Sequence, residues 1–286
     1  MSKPFLSIII PAYNEGDNIP ELVKEIKEVL SDYEKEIILV DDGSEDDSFK
    51  AAQGLDIKVI RHPYNIGNGS AVKTGIRAAV SDFIVLLDAD LQHPPEEILS
   101  LIKEAESYDM IVGSRTGYSF RYRSIANRFF NVLASYVTGI EILDLTSGFR
   151  VIRTEICKRF LYLLPNRFSY PTTLTLAFLK SGRSVKFVPV KVNKRVKGRS
   201  KIHPVKDGVK FMLIIAKIAT IYSPFKVFLP VSVFFFLTGL VYYLYTFATM
   251  HRFTNMSLLL ITTAVIIFML SLIAEQIAQL HIRESE

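Results

Sequence analysis

Short apolar segments alternate with amphipathic ones through the first half of the chain. The apolar segments have the length and aliphatic content of buried strands, and the segments between them repeat their apolar residues at helical spacing. Strands are predicted at residues 6–10, 36–40, 57–60, 83–87 and 110–112, and helices at 19–30, 47–54, 69–80 and after Pro95. Strand–helix repetition at this spacing predicts an α/β fold with a doubly wound, mostly parallel sheet.

The second half of the chain is less regular and ends in two long uncharged runs. A helix is predicted at residues 125–138 and an edge strand at 185–192. Residues 227–250 and 253–274 are each long enough to cross a hydrocarbon core of about 30 Å at about 1.5 Å per residue. Just before them, lysines recur at helical spacing beside apolar residues, which is typical of a helix in the membrane interface.

This pattern predicts three parts of the chain. Residues 1–204 form an α/β domain, residues 205–224 an interfacial amphipathic helix, and residues 225–280 two transmembrane helices. Basic residues gather just before the first span, and no signal peptide precedes the first strand, so we expect the α/β domain in the cytosol. The membrane protein is therefore expected to be multi-pass.

Charge and cysteine content narrow the function classes. The net charge is +5, and much of the excess lies in residues 191–210, next to the first span. Since this run has no aromatic stacking residue, attraction to anionic lipid head groups is a better interpretation than nucleic-acid binding. A lone Cys157 excludes an internal disulfide and a cysteine-based metal site.

Three predicted strands are followed directly by polar clusters. These clusters are Pro11, Tyr13, Asn14 and Glu15 after the first strand, Asp41, Asp42, Gly43 and Ser44 after the second, and Asp88, Asp90 and Gln92 after the fourth. Each cluster alone also fits an ordinary turn or helix cap. Together, at the carboxyl ends of strands in one sheet, they predict a shared ligand crevice.

The third cluster has the oxygen ligands of a hard cation. Asp88, Asp90 and Gln92 offer carboxylate and amide oxygens with no cysteine nearby, which suits Mg²⁺ or Mn²⁺. Such an ion keeps positions for phosphate oxygens, so this segment suggests chemistry on a diphosphate; a solvated turn capped by two prolines is the alternative. The glycine-containing loop at residues 65–69 matches neither a P-loop nor a dinucleotide motif.

At this point the chain resembles a known family. It contains, in the family's order, the segments SIIIPAYNE, VDDGS, NIGNGSAVKTG, LLDADLQHPPE, VGSR, DLTSGFR and RVKGRSK. This series resembles the inverting family 2 glycosyltransferases of GT-A fold, and within them the group of dolichol-phosphate mannose synthases and polyprenyl-phosphate glucosyltransferases.

The resemblance implies a role for each matching residue. Pro11, Tyr13, Glu15, Val40 and Asp42 would hold the nucleoside, Asp88 and Ala89 would contact the sugar diphosphate, Asp90 and Gln92 would bind the metal, Arg195 would grip the diphosphate, and Ser114, Arg115, Arg128 and Lys201 would receive the lipid phosphate. Arg123 is a neighbouring alternative to Arg128. Asp88, Asp90, Asp144 and Arg195 are the expected catalytic residues.

The reaction implied by the resemblance is transfer of mannose or glucose, from GDP-mannose or UDP-glucose, to a dolichyl or undecaprenyl phosphate with inversion. A phosphate dianion is already nucleophilic, so no strong base is required, and His62, His93 and His203 are expected to be incidental. Asp144 would supply the base if the acceptor were a hydroxyl. Mg²⁺ or Mn²⁺ would offset the charge of the departing nucleoside diphosphate.

The sequence is also compatible with other functions. The main rival is transfer to a glycerolipid or sphingolipid hydroxyl. A processive polysaccharide synthase would carry a Gln-x-x-Arg-Trp motif, and this chain has no Trp. Two functions of another class are a catalytically dead scaffold and a flippase for lipid-linked sugars. The intact Asp88, Asp90 and Gln92 argue against the scaffold, and two spans make a poor translocation path without oligomerisation. Two spans offer little bilayer surface, so we expect a homo-oligomer.

Overall fold

A computed structural model describes residues 5–115, 123–166, 169–193, 212–213, 216–217, 219–220 and 223–285. The chain divides into two compact units, residues 1–212 and 213–286. More than half of the predicted interfacial helix at residues 205–224 lies outside the described residues.

The first unit is built around one seven-stranded sheet. Its strands are β1 (Leu6–Ala12), β2 (Lys35–Asp41), β3 (Lys58–Arg61), β4 (Phe83–Leu86), β5 (Met110–Arg115), β6 (Arg150–Arg153) and β7 (Val185–Val190). Their spatial order is β3-β2-β1-β4-β6-β5-β7. All pairs are parallel except the two that involve β6, which runs antiparallel between β4 and β5. The predicted α/β architecture with a mostly parallel sheet is confirmed.

Helices connect the strands and form the second unit. They are α1 (Ile19–Val29), α2 (Ser48–Gln53), α3 (Asn68–Ala78), α4 (Glu97–Ile102), α5 (Arg123–Thr138), α6 (Thr154–Arg159), α7 (Tyr170–Lys180), α8 (Pro224–Met250) and α9 (Asn255–Ser285), with a 3₁₀ turn at Leu161–Leu163. The predicted elements of the first half are all present, with ends that differ by a few residues.

The core lies on both faces of the sheet, and β1 is at its centre. Every residue of β1 is buried, as expected for a strand with parallel neighbours on both sides and helices on both faces. On one face, α1 contributes its apolar stripe, including Leu22 and Ile26. On the other face, α3 packs so closely that a Cβ on Gly75 would lie 2.3 Å from Ile9 Cγ2. The β1 strand is therefore held rigidly from both sides.

One helix of the first unit carries no periodic sequence signal. Nearly every residue of α7 is buried, including Thr172, Thr173 and Thr175. A helix buried on all sides has no polar face, so its apolar residues do not recur with the helical period that identifies a surface helix. This is why the pattern of the second half predicted no helix there.

The second unit is a helical hairpin. Helices α8 and α9 are both long and apolar enough to cross a membrane, and most of their large apolar side chains are exposed. Ser232 Oγ donates to the carbonyl of Ala264 at 2.8 Å, and the backbone N–H of Phe225 donates to Glu275 Oε2 at 3.2 Å. The two predicted spans are confirmed as helices, and α9 continues beyond residue 274 into the charged tail.

The close approach of α3 to β1 predicts the effect of a single methyl group. In Gly75→Ala, the new Cβ would overlap the buried Ile9 side chain, and overpacking of this kind costs roughly 1–3 kcal/mol. Thermal unfolding of the full-length protein in detergent should show a Tm lower by several degrees. Gly54→Ala is the matched control, since a Cβ there has nothing within 4 Å. An unchanged Tm for Gly75→Ala would contradict this packing.

Candidate functional site

The first two polar clusters interlock at the carboxyl ends of β1 and β2. The backbone N–H of Asn14 donates to Ser44 Oγ at 3.0 Å, and the N–H of Glu45 donates back to Asn14 Oδ1 at 3.0 Å. Next to them, the N–H of Glu15 donates to Ser48 Oγ at 2.9 Å. These bonds cross between two loops about thirty residues apart in the chain, so the segments with Tyr13 and with Asp42 form one wall.

Asp42 is buried at the end of this wall and binds a third loop. Its Oδ1 accepts from the N–H of Ile66 at 3.1 Å, and its Oδ2 from the N–H of Gly67 at 2.8 Å. His62 Nδ1 lies 2.7 Å from Asp42 Oδ1, and His62 Nε2 lies 2.9 Å from Thr74 Oγ1. Because a carboxylate only accepts, Nδ1 carries the proton. Asp42 therefore fixes the loop at residues 65–69. His62, which was expected to be incidental, connects Asp42 to Thr74 of α3.

A glycine is required where these loops meet. Gly43 has φ +70°, and a Cβ on it would lie 2.5 Å from the carbonyl carbon of Tyr64. A side chain there would clash with backbone atoms, which cannot rotate away. The glycine of the VDDGS segment thus allows the chain after β2 to pass directly against the loop that Asp42 holds.

The third cluster forms a tight turn after β4. Leu91 adopts φ +57°, and the N–H of Gln92 donates to Asp90 Oδ1 at 3.2 Å. The carbonyl of Gln92 accepts from the N–H of Asn193 at 2.8 Å. The side chains of Asp90 and Gln92 are half-buried. The turn thus gathers oxygen donors and joins them to the chain segment that follows β7.

The donor set of this turn fits a hard divalent cation. Among the residues that the structure describes, no cluster of three or more His, Cys, Asp or Glu side chains could hold a metal ion. A metal ion bound at this turn would take one carboxylate oxygen from Asp90 and one amide oxygen from Gln92. Mg²⁺ and related ions are commonly bound by one or two carboxylates together with substrate phosphates and water, so the residues present fit such an ion.

Arg115 and Asp144 form a bidentate ion pair at the end of β5. Arg115 Nε donates to Asp144 Oδ2 at 2.7 Å, and Nη2 donates to Oδ1 at 2.8 Å. Burial alone would raise the pKa of Asp144, but the hydrogen bonds and charge of Arg115, with backbone donors, lower it below its ordinary value. Asp144 is therefore ionised at neutral pH and is a weak base. Its carboxylate contacts the Arg115 guanidinium and orients it.

His93 lies behind this pair. It is buried, and its ring stacks on Phe149 with centroids 4.9 Å apart. Burial, together with the positive charge of Arg115, lowers the pKa of His93 to about 4, while Asp144 opposes the shift. A neutral imidazole at this position packs against the DLTSGFR segment and does not carry charge at physiological pH.

Asp88 meets the same DLTSGFR segment from the other side. A Cβ on Gly148 would lie 3.2 Å from Asp88 Oδ2 and 2.9 Å from the hydroxyl of Tyr170. The absence of a side chain at position 148 thus lets the Asp88 carboxylate and the Tyr170 phenol approach the same place. The segment after β4 and DLTSGFR thus lie against each other at Asp88 and Gly148.

The remaining predicted residues fall in three groups. Pro11 and Val40 are register partners in β1 and β2, Ala89 and Ser114 are buried, and Tyr13 and Glu15 are half-buried beside the first loop. Arg128 is on α5 and is exposed. Arg195 and Lys201 lie outside the described residues. The roles of all these residues therefore remain predictions.

Tyr170 and Arg150 were not predicted as site residues. Both are buried, and the Tyr170 hydroxyl and the Asp88 carboxylate both lie close to Gly148. Arg150 is the last residue of DLTSGFR and the first of β6, and an arginine directly before the apolar pair Val151–Ile152 was the available signal. Tyr170 had no signal, since a tyrosine among apolar and small residues is typical of a core helix.

Comparison with known proteins identifies the family. Residues 7–161, more than half of the chain, match the model of glycosyl transferase family 2. The chain belongs to this family. Residues 223–280 match the GtrB C-terminal hairpin, which covers α8 and α9 and, with their length and apolar character, indicates a membrane protein.

Several relatives carry names that specify a substrate. The chain is 33% identical over 194 residues to the undecaprenyl-phosphate 4-deoxy-4-formamido-L-arabinose transferase of Pseudomonas fluorescens, covering 60% of this chain and 57% of that protein. It is 37% identical over 164 residues to the dolichol-phosphate mannosyltransferase of Pyrococcus furiosus, covering 53% and 49%. The chain thus spans about half the length of these curated relatives. An uncharacterised protein of Methanocaldococcus jannaschii is 31% identical over 76% of this chain and 94% of its own.

Solved structures show the same fold. Glucosyl-3-phosphoglycerate synthase from Mycobacterium tuberculosis, crystallised with Mn²⁺, UDP and its product, superposes with a TM-score of 0.61 at 19% identity, covering 76% of this chain and 80% of that one. The expected GT-A fold is confirmed by this likeness.

The lowered pKa of Asp144 predicts a pH-dependent contribution to stability. Because the folded pKa is depressed, this contribution is fully present above the unfolded pKa of about 3.9 and is lost as the pH falls through the folded value. Asp144→Asn removes the ion pair with Arg115 and should cost roughly 3 kcal/mol at pH 7. Thermal unfolding between pH 7 and pH 3 should show a lower Tm and a shallower acid decline for the variant.

Asp47→Asn is the matched control, since Asp47 pairs with Lys50 on the surface with both side chains about 80% exposed. Its Tm should stay within a degree or so of wild type. Equal Tm losses in the two variants, or the same acid decline in wild type and Asp144→Asn, would show that the buried pair has no special weight.

Proposed function

We propose that this family 2 glycosyltransferase moves a hexose, mannose or glucose, from a nucleotide diphosphate sugar to a polyprenyl phosphate with inversion. The observation that carries the proposal is the position of the Arg115–Asp144 pair, at the same sheet edge as the acidic turn. A turn that would bind a metal and a diphosphate thus shares a sheet edge with an oriented guanidinium that would bind a second phosphate. Relatives named for undecaprenyl-phosphate and dolichol-phosphate transfer support this choice.

The donor would bind at the ends of β1, β2 and β4. Pro11, Tyr13, Glu15, Val40 and Asp42 would hold the nucleoside, and Asp88 with Ala89 would face the sugar diphosphate. Asp42 already accepts bonds from a loop and from His62, so its contribution to the nucleoside pocket includes holding the pocket wall. GDP-mannose and UDP-glucose are the candidate donors; UDP in the solved structure of similar fold supports a nucleotide ligand of this class.

Asp90 and Gln92 would hold Mg²⁺ or Mn²⁺. When bound, the ion supplies Lewis-acid stabilisation of the charge on the departing diphosphate. The Mn²⁺ complex of the structural neighbour supports a divalent ion. Arg195, just after the segment whose Asn193 N–H donates to Gln92, would add positive charge to the same diphosphate.

The acceptor phosphate would bind at Ser114, Arg115 and Arg128, with Lys201. Asp144 fixes the planar fork of Arg115, and a fixed guanidinium binds phosphate with geometric specificity. An acceptor phosphate oxygen would attack the anomeric carbon, and the carbon–oxygen bond to the nucleoside diphosphate would break. No proton has to be removed from a phosphate dianion, which suits a site whose nearest carboxylate is a weak base.

A lipid acceptor suits a protein with a membrane hairpin. We propose that α8 and α9 span the bilayer, that residues 205–224 lie in its interface, and that the catalytic unit is cytosolic, as the lysines before the first span suggest. A homo-oligomer would enlarge the intramembrane surface of a two-span protein. Transfer to a glycerolipid or sphingolipid hydroxyl is the rival function. The ion pair of Asp144 counts against it, because that reaction needs a base.

A donor panel tests the reaction class. Membranes containing the protein are incubated with radiolabelled nucleotide sugars and a polyprenyl phosphate, with and without EDTA. We expect a lipid-linked monophosphosugar from one donor, and we expect EDTA to abolish it. Activity that is insensitive to the chelator, or the lack of a lipid-phosphate product from any donor, would contradict the proposal.

The acceptor assignment is tested by arginine variants. Arg115→Lys keeps the charge but loses the bidentate fork, and Arg128→Ala removes an exposed cation. Each should reduce transfer to polyprenyl phosphate by about 10- to 100-fold, the range expected for charge-assisted hydrogen bonds. Arg77→Ala, on an exposed position in the last turn of α3, is the control with unchanged activity. If both site variants retain full transfer to the lipid phosphate, the acceptor is bound elsewhere.

A further inference from the structure

Arg150 is a fully buried guanidinium without a carboxylate partner among the described residues. Its Nε donates to the carbonyl of Ser147 at 2.8 Å, and Nη1 donates to Thr175 Oγ1 at 2.8 Å. Among the described residues, Arg150 Nη2 has no hydrogen-bond partner. A buried charge that is bonded only to neutral groups is costly. Such a feature in a folded protein calls for a functional explanation.

The sheet places Arg150 between the two halves of the candidate site. In the antiparallel register of β6, Arg150 is opposite Leu86 of β4 and Val112 of β5. Leu86 is two residues before Asp88, and Val112 is three residues before Arg115. Arg150 is therefore on the strand between β4, which leads to the proposed donor side, and β5, which leads to the proposed acceptor side.

Tyr170 interacts electrostatically with both Asp88 and Arg150. Its phenol is buried, and its hydroxyl lies 2.9 Å from the place where a Cβ on Gly148 would be, with Asp88 Oδ2 3.2 Å from the same point. Burial and the charge of Asp88 raise the pKa of Tyr170, whereas Arg150 opposes that shift. The phenol thus lies within the electrostatic influence of both charged groups and stays protonated, able to donate a hydrogen bond.

The backbone before Tyr170 is strained. Ser169 is buried and adopts the left-handed conformation at φ 79°, which is unfavourable for a residue other than glycine. Such strain persists where the surrounding structure determines the conformation strongly, often beside a functional site. Here it fixes the start of α7, and with it the position of the Tyr170 ring.

We infer that Arg150 is a positioning residue for sugar transfer, which acts through Tyr170 to hold the Asp88 carboxylate toward the donor diphosphate. The inference rests on the proposed function for the placement of Asp88 at the diphosphate. A buried positive charge behind an acidic turn offsets the repulsion between the Asp88 carboxylate and the anionic diphosphate. Because Arg150 itself has no access to substrate, its effect depends on the Tyr170 hydroxyl.

The test compares ligands that differ by one phosphate. Binding of UDP, UMP, GDP and GMP to the full-length protein in detergent is measured by calorimetry with Mn²⁺ present, for wild type, Arg150→Met, Tyr170→Phe and the double variant. For the nucleotide that binds, Arg150→Met and Tyr170→Phe should each weaken diphosphate binding by about 10- to 100-fold, the range for groups that orient a ligand-binding residue. Monophosphate binding should be unchanged, since it does not reach Asp88.

The double variant tests the connection. If Arg150 acts through Tyr170, the double variant binds the diphosphate no more weakly than the weaker single variant, because the two changes break the same link. Arg153→Met is the matched control, an arginine of the same strand whose guanidinium stacks on Phe83 and is directed away from Asp88. It should bind the diphosphate like wild type.

Three outcomes would overturn the inference. They are equal loss of monophosphate and diphosphate binding, additive losses in the double variant, and wild-type binding by Tyr170→Phe. If Arg150→Met does not fold, by its Tm and its gel-filtration profile, Arg150→Lys and Tyr170→Phe replace it, since both are conservative. The assay contains no lipid, so loss of the lipid-phosphate product alone would contradict the proposed acceptor and leave this inference intact. Failure of wild type to bind either diphosphate would contradict both.

Discussion

The parallel pairing of β1 with both β2 and β4 determines where the chemistry of this protein lies. Pro11 is opposite Val40, Ala12 is opposite Asp41, and Ile9 is opposite Leu86. Because parallel strands end at the same edge, the three loops that follow them must meet there. The antiparallel β6 completes the arrangement, since β6 begins at this same edge with Arg150, the last residue of DLTSGFR. A single sheet register thus brings four separate segments of the chain together.

Charge is distributed within that edge so that each group has a partner or a task. Asp144 orients Arg115, and Asp42 holds the loop at residues 65–69. The Gln92 N–H donates to Asp90 Oδ1 in the turn after β4. Buried behind them, Arg150 adds positive charge to a region otherwise rich in carboxylates. In the proposed reaction, one phosphate group would bind through a cation on the acidic turn and the other would bind to the guanidinium of Arg115.

Much of this architecture could be predicted from the sequence, because strand length and the polar residues after each strand are local signals. The segments with Tyr13, Asp42 and Asp88 were predicted to follow strands of one parallel sheet, and the sheet confirms that they leave it at the same edge. Other features depend on tertiary contacts. The pairing of Arg115 with Asp144 joins residues 29 positions apart through the antiparallel β6, whose direction no local pattern encodes. His62 was expected to be incidental because its partner, Asp42, follows a different strand. Helix α7 showed no helical periodicity because nearly all its residues are buried.

The linkage and configuration of the product test the central claim most directly. A nucleotide sugar with an α-linked anomeric carbon, labelled there with ¹³C, is incubated with the protein and polyprenyl phosphate, and the lipid product is analysed by ¹³C and ³¹P NMR. The proposed reaction predicts that the labelled carbon couples to a single phosphorus and has the β configuration. An α-linked product, or a labelled carbon bonded to a hydroxyl oxygen without phosphorus coupling, would contradict the account.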